Sequence, residues 1–265
     1  GLAAHNFQST YRRFPPGDVG PPTSTFTWDT QHIGLLVFLL PYLEQENVHE
    51  PIDSEKASFG NISLYDLDRS GAAYWARAKA WEMAHERVEA FLCPSDGGGD
   101  ATGGMGALLW RYVYDSNTAG MQIGFWAPPG YPDLGWTNYL GIAGGGGDIT
   151  NSWARYAGVA TRRSRNSFES IRDGSSNTLM FGEAMGGQPE RKYYYSWTGC
   201  GAMYTAAGLN EGDTSWAQFS SYHPGIVQFC LADGSVKGIS TDVDKWEVYI
   251  PLSGMQDGKP TPGYP

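Results

Sequence analysis

Few side chains in this sequence have the type and spacing that chemistry needs. In SYHPGIVQFCLADGSVKGIS (221–240), His223 stands ten positions before Asp233, raw material for a catalytic His/Asp pair, a metal site or a piece of scaffold. The five histidines (His5, His32, His49, His85 and His223) include no H-E-x-x-H spacing, and no serine sits in a G-x-S-x-G turn. Cys93, Cys200 and Cys230 are the only cysteines; CPSDGGGD (93–100) adds Asp96 and Asp100, but one cysteine before a proline is not a zinc spacing. The glycine run 144–147 leads into GDIT without the strand, spacing or lysine of a phosphate-binding loop.

Local structure decides what the His223/Asp233 pair can do. Two short apolar runs, IVQFCLAD and SVKGIS, flank Asp233, Gly234 and Ser235, a strong hairpin signal. Ten residues of strand span about 33 Å. His223, followed by Pro224 and Gly225, then lies at the start of the first strand, and Asp233 at the far turn. The expectation is a structural role for His223, Gly225, Asp233, Gly234 and Ser235 and no catalysis.

Upstream, GLAAHNFQSTYRRF places Ala3, Phe7, Tyr11 and Phe14 on one helical face with no N-cap before it, so the segment reads either as the tail of a longer helix or as an ordinary short N-terminal helix. Prolines from 15 to 22 end it. HIGLLVFLLPYLEQENVHE (32–50) predicts a buried helical hairpin or kinked helix. Residues 72–92 predict one amphipathic helix, with Tyr74, Ala78, Trp81, Val88 and Leu92 inward and Arg77, Glu82, Glu86 and Glu89 in water. Beyond Pro94 come β-like runs separated by glycine: RYVYD, QIGFWA, TNYLGIAG, TLMFGE, KYYYSW, AQFSSY and the final hairpin. Helices first and strands later predict an α+β fold, an N-terminal helix laid on an antiparallel sheet, in a single domain spanning 1–265.

The chain has 265 residues, 36 of them Gly and 16 Pro, and a formal charge of −10, which removes the attraction that nucleic acid or an anionic membrane surface needs. No apolar run is long enough to span a bilayer. Clusters such as Trp126, Tyr131 and Trp136, or Tyr194 and Trp197, are candidates for stacking on sugars, although the same residues often fill cores. DGSSN (Asp173, Ser175, Asn177) and STDVD (Asp242, Asp244) present oxygen side chains suited to calcium, and equally to turns and caps.

Six blocks in order carry a family likeness: GLAAHNFQSTYRRFPPG, LLPYLEQENV, FLCPSD, TNYLGIAG, IRDGSSNTLMFGE and HPGIVQFCLADGSVKGIS. With them the chain resembles the prepilin-like exported proteins abundant in planctomycete bacteria, catalogued as domain of unknown function 1559 and also grouped as bacterial solute-binding family 10. That resemblance implies a pilin- or pseudopilin-like subunit, with a leader and apolar helix ahead of residue 1 as its membrane anchor. The expected location is outside the cytoplasm, in a filament with copies of itself or other pilin-like subunits, and the expected function is structural. Binding of a glycan or other solute is the alternative. The resemblance also marks Cys93, Pro94 and Asp96 as signature positions, and its pseudopilin likeness implies calcium as the cation at one of the oxygen-rich stretches, DGSSN or STDVD. Cys200 and Cys230 lie outside the shared blocks and are expected to pair in an oxidising compartment, leaving Cys93 single.

Overall fold

The computed structural model describes residues 1–22, 27–96, 104–105, 107–114, 119–126, 133–146, 152–186, 194–209, 218–259 and 261, with backbone alone over 104–126. Helix α1 (Leu2–Tyr11) buries Ala3, Ala4 and Phe7. Tyr11, expected on that face, is 56% exposed and packs its ring 4.5 Å from that of Phe7. The helix stops at Arg12, whose left-handed backbone (φ 58°) returns its N–H to Gln8 O. Phe14 is buried all the same, because the non-helical chain carries it inward and its N–H donates to Asn166 O at 2.6 Å.

Leu35–Leu43 forms a 3-10 helix with residues 35–40 entirely buried, and α2 (Glu46–Ile52) follows after a left-handed residue at Glu44, the kinked arrangement expected of 32–50. The single helix expected over 72–92 does not form. A 3-10 turn (Tyr74–Ala76), a short α3 (Ala78–Met83) and another 3-10 turn (Glu89–Phe91) take its place. Helix continuation loses to tertiary bonding at both ends. Arg77 is extended and, far from facing water, sends its guanidinium inward to Ala72 O (3.2 Å), Ile62 O (2.9 Å) and Asp53 Oδ1 (3.3 Å). Downstream, the Ala84 carbonyl accepts from Gly135 N–H and the Glu86 carbonyl from the Trp197 indole, so both are taken by partners outside a helix.

The strands are β1 (Gly104–Met105), β2 (Ala107–Tyr114), β3 (Ala119–Trp126), β4 (Trp136–Thr137), β5 (Tyr139–Gly144), β6 (Leu179–Glu183), β7 (Tyr194–Ser196), β8 (Ala202–Tyr204), β9 (Ile226–Leu231) and β10 (Val236–Ser240). They form a five-stranded sheet ordered β10-β9-β6-β5-β8, a small sheet β1-β7-β4 and a β2-β3 hairpin. The large sheet is antiparallel except for the parallel β5-β8 pair. β8 was not expected, and the described part of AQFSSY, 218–222, makes an isolated bridge, Phe219 to Leu209, and no strand. The architecture is α+β, with helices mostly ahead of the strands.

The C-terminal hairpin forms as its turn chemistry dictates. β9 and β10 pair from Cys230↔Val236 to Ile226↔Ser240, Gly234 adopts φ +88°, and Asp233 Oδ1 accepts from the Ser235 N–H (2.9 Å) and hydroxyl (2.6 Å). β9 alternates half-buried and buried residues. Val227, Phe229 and Leu231 join one apolar cluster; Cys230 packs against the other, which contains Ala3, Phe7, Leu36, Leu39 and Phe181. Helix α1 docks on the hairpin through His5, whose Nε2 lies 2.8 Å from Ala232 O. After β10, Asp244 caps a π-helical turn (Lys245–Tyr249) that runs into α4 (Ile250–Ser253).

Candidate functional site

Three segments distant in sequence converge where α1, the 3-10 helix and the large sheet meet. The 3-10 turn Glu89–Phe91 leads into Cys93-Pro94-Ser95-Asp96, closed by Asp96 N–H to Cys93 O at 2.9 Å. Asn138, between β4 and β5, ties this turn to the sheet. Its Oδ1 accepts from Cys93 N–H at 2.7 Å, and its Nδ2 donates to Asp96 Oδ2 at 2.6 Å. Glu183 is the last residue of β6. It is 2% exposed, and Oε2 accepts from Gln228 N–H on the neighbouring strand β9 at 2.9 Å. His223 lies just ahead of β9, where its N–H donates to Ser221 Oγ at 2.8 Å and Gly225 turns the chain at φ +71°.

The side chains meet at one point. His223 Nε2 is 3.3 Å from Glu183 Oε1, Cys93 Sγ is 3.4 Å from the same oxygen, and Cys93 Sγ is 3.9 Å from His223 Nε2. Glu183 and Cys93 are buried, while the His223 side chain keeps 30% of its surface open. Among the described residues this is the one group of three or more His, Cys, Asp or Glu side chains close enough to share an ion. Burial pushes the Cys93 thiol up and Glu183 pushes it further, against an opposing contribution from Ser95. The Tyr139 phenol, hydrogen-bonded to Cys93, is raised by burial first and then by Cys93 and Glu183.

These groups line one end of a cavity of about 490 Å³ whose remaining walls are mostly apolar, among them Ala3, Leu36, Leu39, Leu43 and Phe181. Polar donors and acceptors at one end of an apolar hollow are the ordinary design of a small-molecule site.

The sequence places His223 correctly at the start of the hairpin, and His223 and Asp233 do not meet. Asp233 is occupied by Ser235, whereas His223 faces Cys93 and Glu183. His223 is therefore more than a frame for the hairpin, and Cys93, which forms no disulfide, is nevertheless in contact with both partners. Glu183, Asn138 and Tyr139 also belong to the site, although no spacing in the sequence marks them. The available signal was a carboxylate ending the apolar run TLMFGE, where a buried charge demands a partner.

Other expectations are corrected. Cys200 and Cys230 form no disulfide with each other. Cys200 lies in the cluster with Val227, Phe229 and Leu231, and strand alternation turns Cys230 to the opposite face. Neither calcium stretch gathers a ligand set. Asp173 accepts from the Asp257 and Gly258 N–H groups, Asp244 from the Trp246 and Glu247 N–H groups, and Asn177 Nδ2 donates to Asp173 O. Ser175 begins a 3-10 turn and offers its carbonyl to Asp233 N–H, and Asp242 sits in the turn after β10 with its N–H on Ser240 Oγ. Of the aromatic candidates, Trp197 and Tyr194 are buried, and Trp136 is half-buried with its ring 6.2 Å from that of Tyr194. These rings pack the interior and present no platform for a sugar. Tyr131 and the side chain of Trp126 lie outside the described residues.

Residues 1–245 match the family described as Protein of unknown function (DUF1559), and the chain belongs to that family. No curated protein and no solved structure matches it.

Proposed function

We propose that this DUF1559 protein is the non-catalytic head of a pilin-like subunit acting outside the cytoplasm, and that the head holds a small, largely apolar solute. The observation that carries the reading is the cavity of about 490 Å³, within the range of small-molecule pockets, with its polar groups at one end. The same groups support the non-catalytic part of the reading. A thiol relay needs the carboxylate on one imidazole nitrogen and the thiol on the other, but here Glu183 Oε1 and Cys93 Sγ both face His223 Nε2. The upward push on the Cys93 thiol also opposes its use as a nucleophile.

The test is fluorescence titration of the protein with Nile red, an apolar probe small enough for such a cavity. Saturable binding is expected, and Ala90→Trp, at an exposed residue on the cavity wall, should abolish it without lowering Tm. Absence of saturable binding, or binding indifferent to Ala90→Trp, refutes the solute reading.

Assembly with copies of itself is a second role compatible with the first. It is favoured by Leu2, 76% exposed at the start of α1, with the buried Ala3, Ala4 and Phe7 face turned inward. Electron microscopy of the native surface, labelled with an antibody to the head, should place the protein in fibres; isolated heads alone would refute assembly.

A further inference from the structure

Cys93, Glu183 and His223 come from a turn, a strand end and a loop, and three different donor types converge within 3.3–3.9 Å. For zinc, bonds of about 2.3 Å to sulfur and about 2.0–2.2 Å to nitrogen and oxygen put tetrahedral ligand atoms about 3.3–3.6 Å apart. Two of the three separations fall in that range, and the third needs only a few tenths of an ångström of closure.

We propose that Cys93 Sγ, His223 Nε2 and Glu183 Oε1 bind one thiophilic divalent cation, with zinc the best fit, and that its fourth position opens into the cavity. Sulfur with imidazole nitrogen selects zinc-like ions over calcium or magnesium, which prefer oxygen alone. The surroundings are built to hold such a centre. Asn138 fixes the Cys93 backbone, Gln228 N–H holds the second oxygen of Glu183, and Ser221 holds the His223 backbone. All three ligands line the cavity, so the face not occupied by protein is the one a solute or water reaches. On binding, the thiol releases its proton to solvent, and the imidazole binds as its neutral form. A buried thiolate, costly when alone, is then neutralised by the cation. The inference shares its cavity with the proposed solute but does not require one: an ion can bind where Nile red fails, and the reverse.

The experiment is cobalt(II) titration of the metal-stripped protein, read by absorption. A tetrahedral thiolate-bound cobalt gives intense visible d–d bands and a near-ultraviolet sulfur-to-metal charge-transfer band. One equivalent should saturate both, zinc should displace the cobalt, and calcium should not. Cys93→Ser should lose the charge-transfer band. His223→Gln should weaken binding by about 100-fold or more, beyond what losing a residue that only orients a ligand costs. Asp242→Asn, at a residue that is not on the cavity wall, should leave the titration unchanged. Should a ligand variant fail to fold, the wild-type spectrum and stoichiometry decide alone. No charge-transfer band at saturating cobalt, or equal affinity in folded Cys93→Ser and wild type, overturns the site and leaves His223 and Glu183 in contact beside a thiol.

Discussion

Acidification should weaken this fold through one histidine that has no role in the cavity. His32 is 1% exposed, and its ring stacks on Trp75 with centroids 4.9 Å apart and planes at 19°. Burial pushes its pKa from 6.5 down to about 4; nearby Arg163 adds to the effect, and the backbone of Trp28 and Thr27 offsets part of it. The folded state therefore keeps His32 neutral while the unfolded chain protonates near 6.5. This contribution to stability is fully present above 6.5 and is lost as pH falls towards 4. Between pH 7.5 and 4.5 the linkage relation gives a loss of about 2–3 kcal/mol from this residue alone. The assay is urea unfolding at both pH values, in wild type and His32→Asn. Asparagine tolerates the left-handed backbone at this position (φ 55°) and does not titrate. Its overall stability drops with the lost stack, but its decline on acidification should be smaller than that of wild type by about 2–3 kcal/mol. Equal declines would mean that His32 is solvated or protonated in the folded protein, and the argument from burial would fail.

Arg77→Ala should cost about 3 kcal/mol or more, read as a lower urea midpoint, because it strips Asp53 and two backbone carbonyls of a buried guanidinium. Gly201→Ala drives a Cβ into the Gly17 carbonyl and should destabilise by about 1–3 kcal/mol in the same assay. Iodoacetamide labelling of the unreduced, denatured protein should find three reactive thiols by mass spectrometry, and in the native state half-buried Cys230 should react before Cys200. A 200–230 crosslink would contradict the placement of those residues on opposite faces of β9.

Local rules written in the sequence reach the hairpin, the helix α1 and the kink in 32–50. At each of these places residues within one or two turns supply the decisive bond: Asp233 to Ser235, Arg12 to Gln8, Gln45 to Leu40. The same rules put His223 at the head of β9 and away from Asp233. They fail over 72–92, where Arg77 has the spacing of a solvent-facing residue but finds Asp53 and the Ile62 carbonyl, fifteen or more positions away. They fail again at Cys200 and Cys230, since eligibility for a disulfide says nothing of which face of a sheet each thiol occupies. Oxygen-rich stretches such as DGSSN look like ligand sets in sequence, yet tertiary contacts assign Asp173 to the backbone of 257 and 258. The site itself was beyond the reach of spacing. Cys93 and Glu183 are 90 positions apart and Cys93 and His223 are 130 apart, and only the order β10-β9-β6-β5 with Asn138 clamping the CPSD turn brings them together. Spacing finds ligands that share one element; atoms held together by a sheet crossover become neighbours only when the sheet exists.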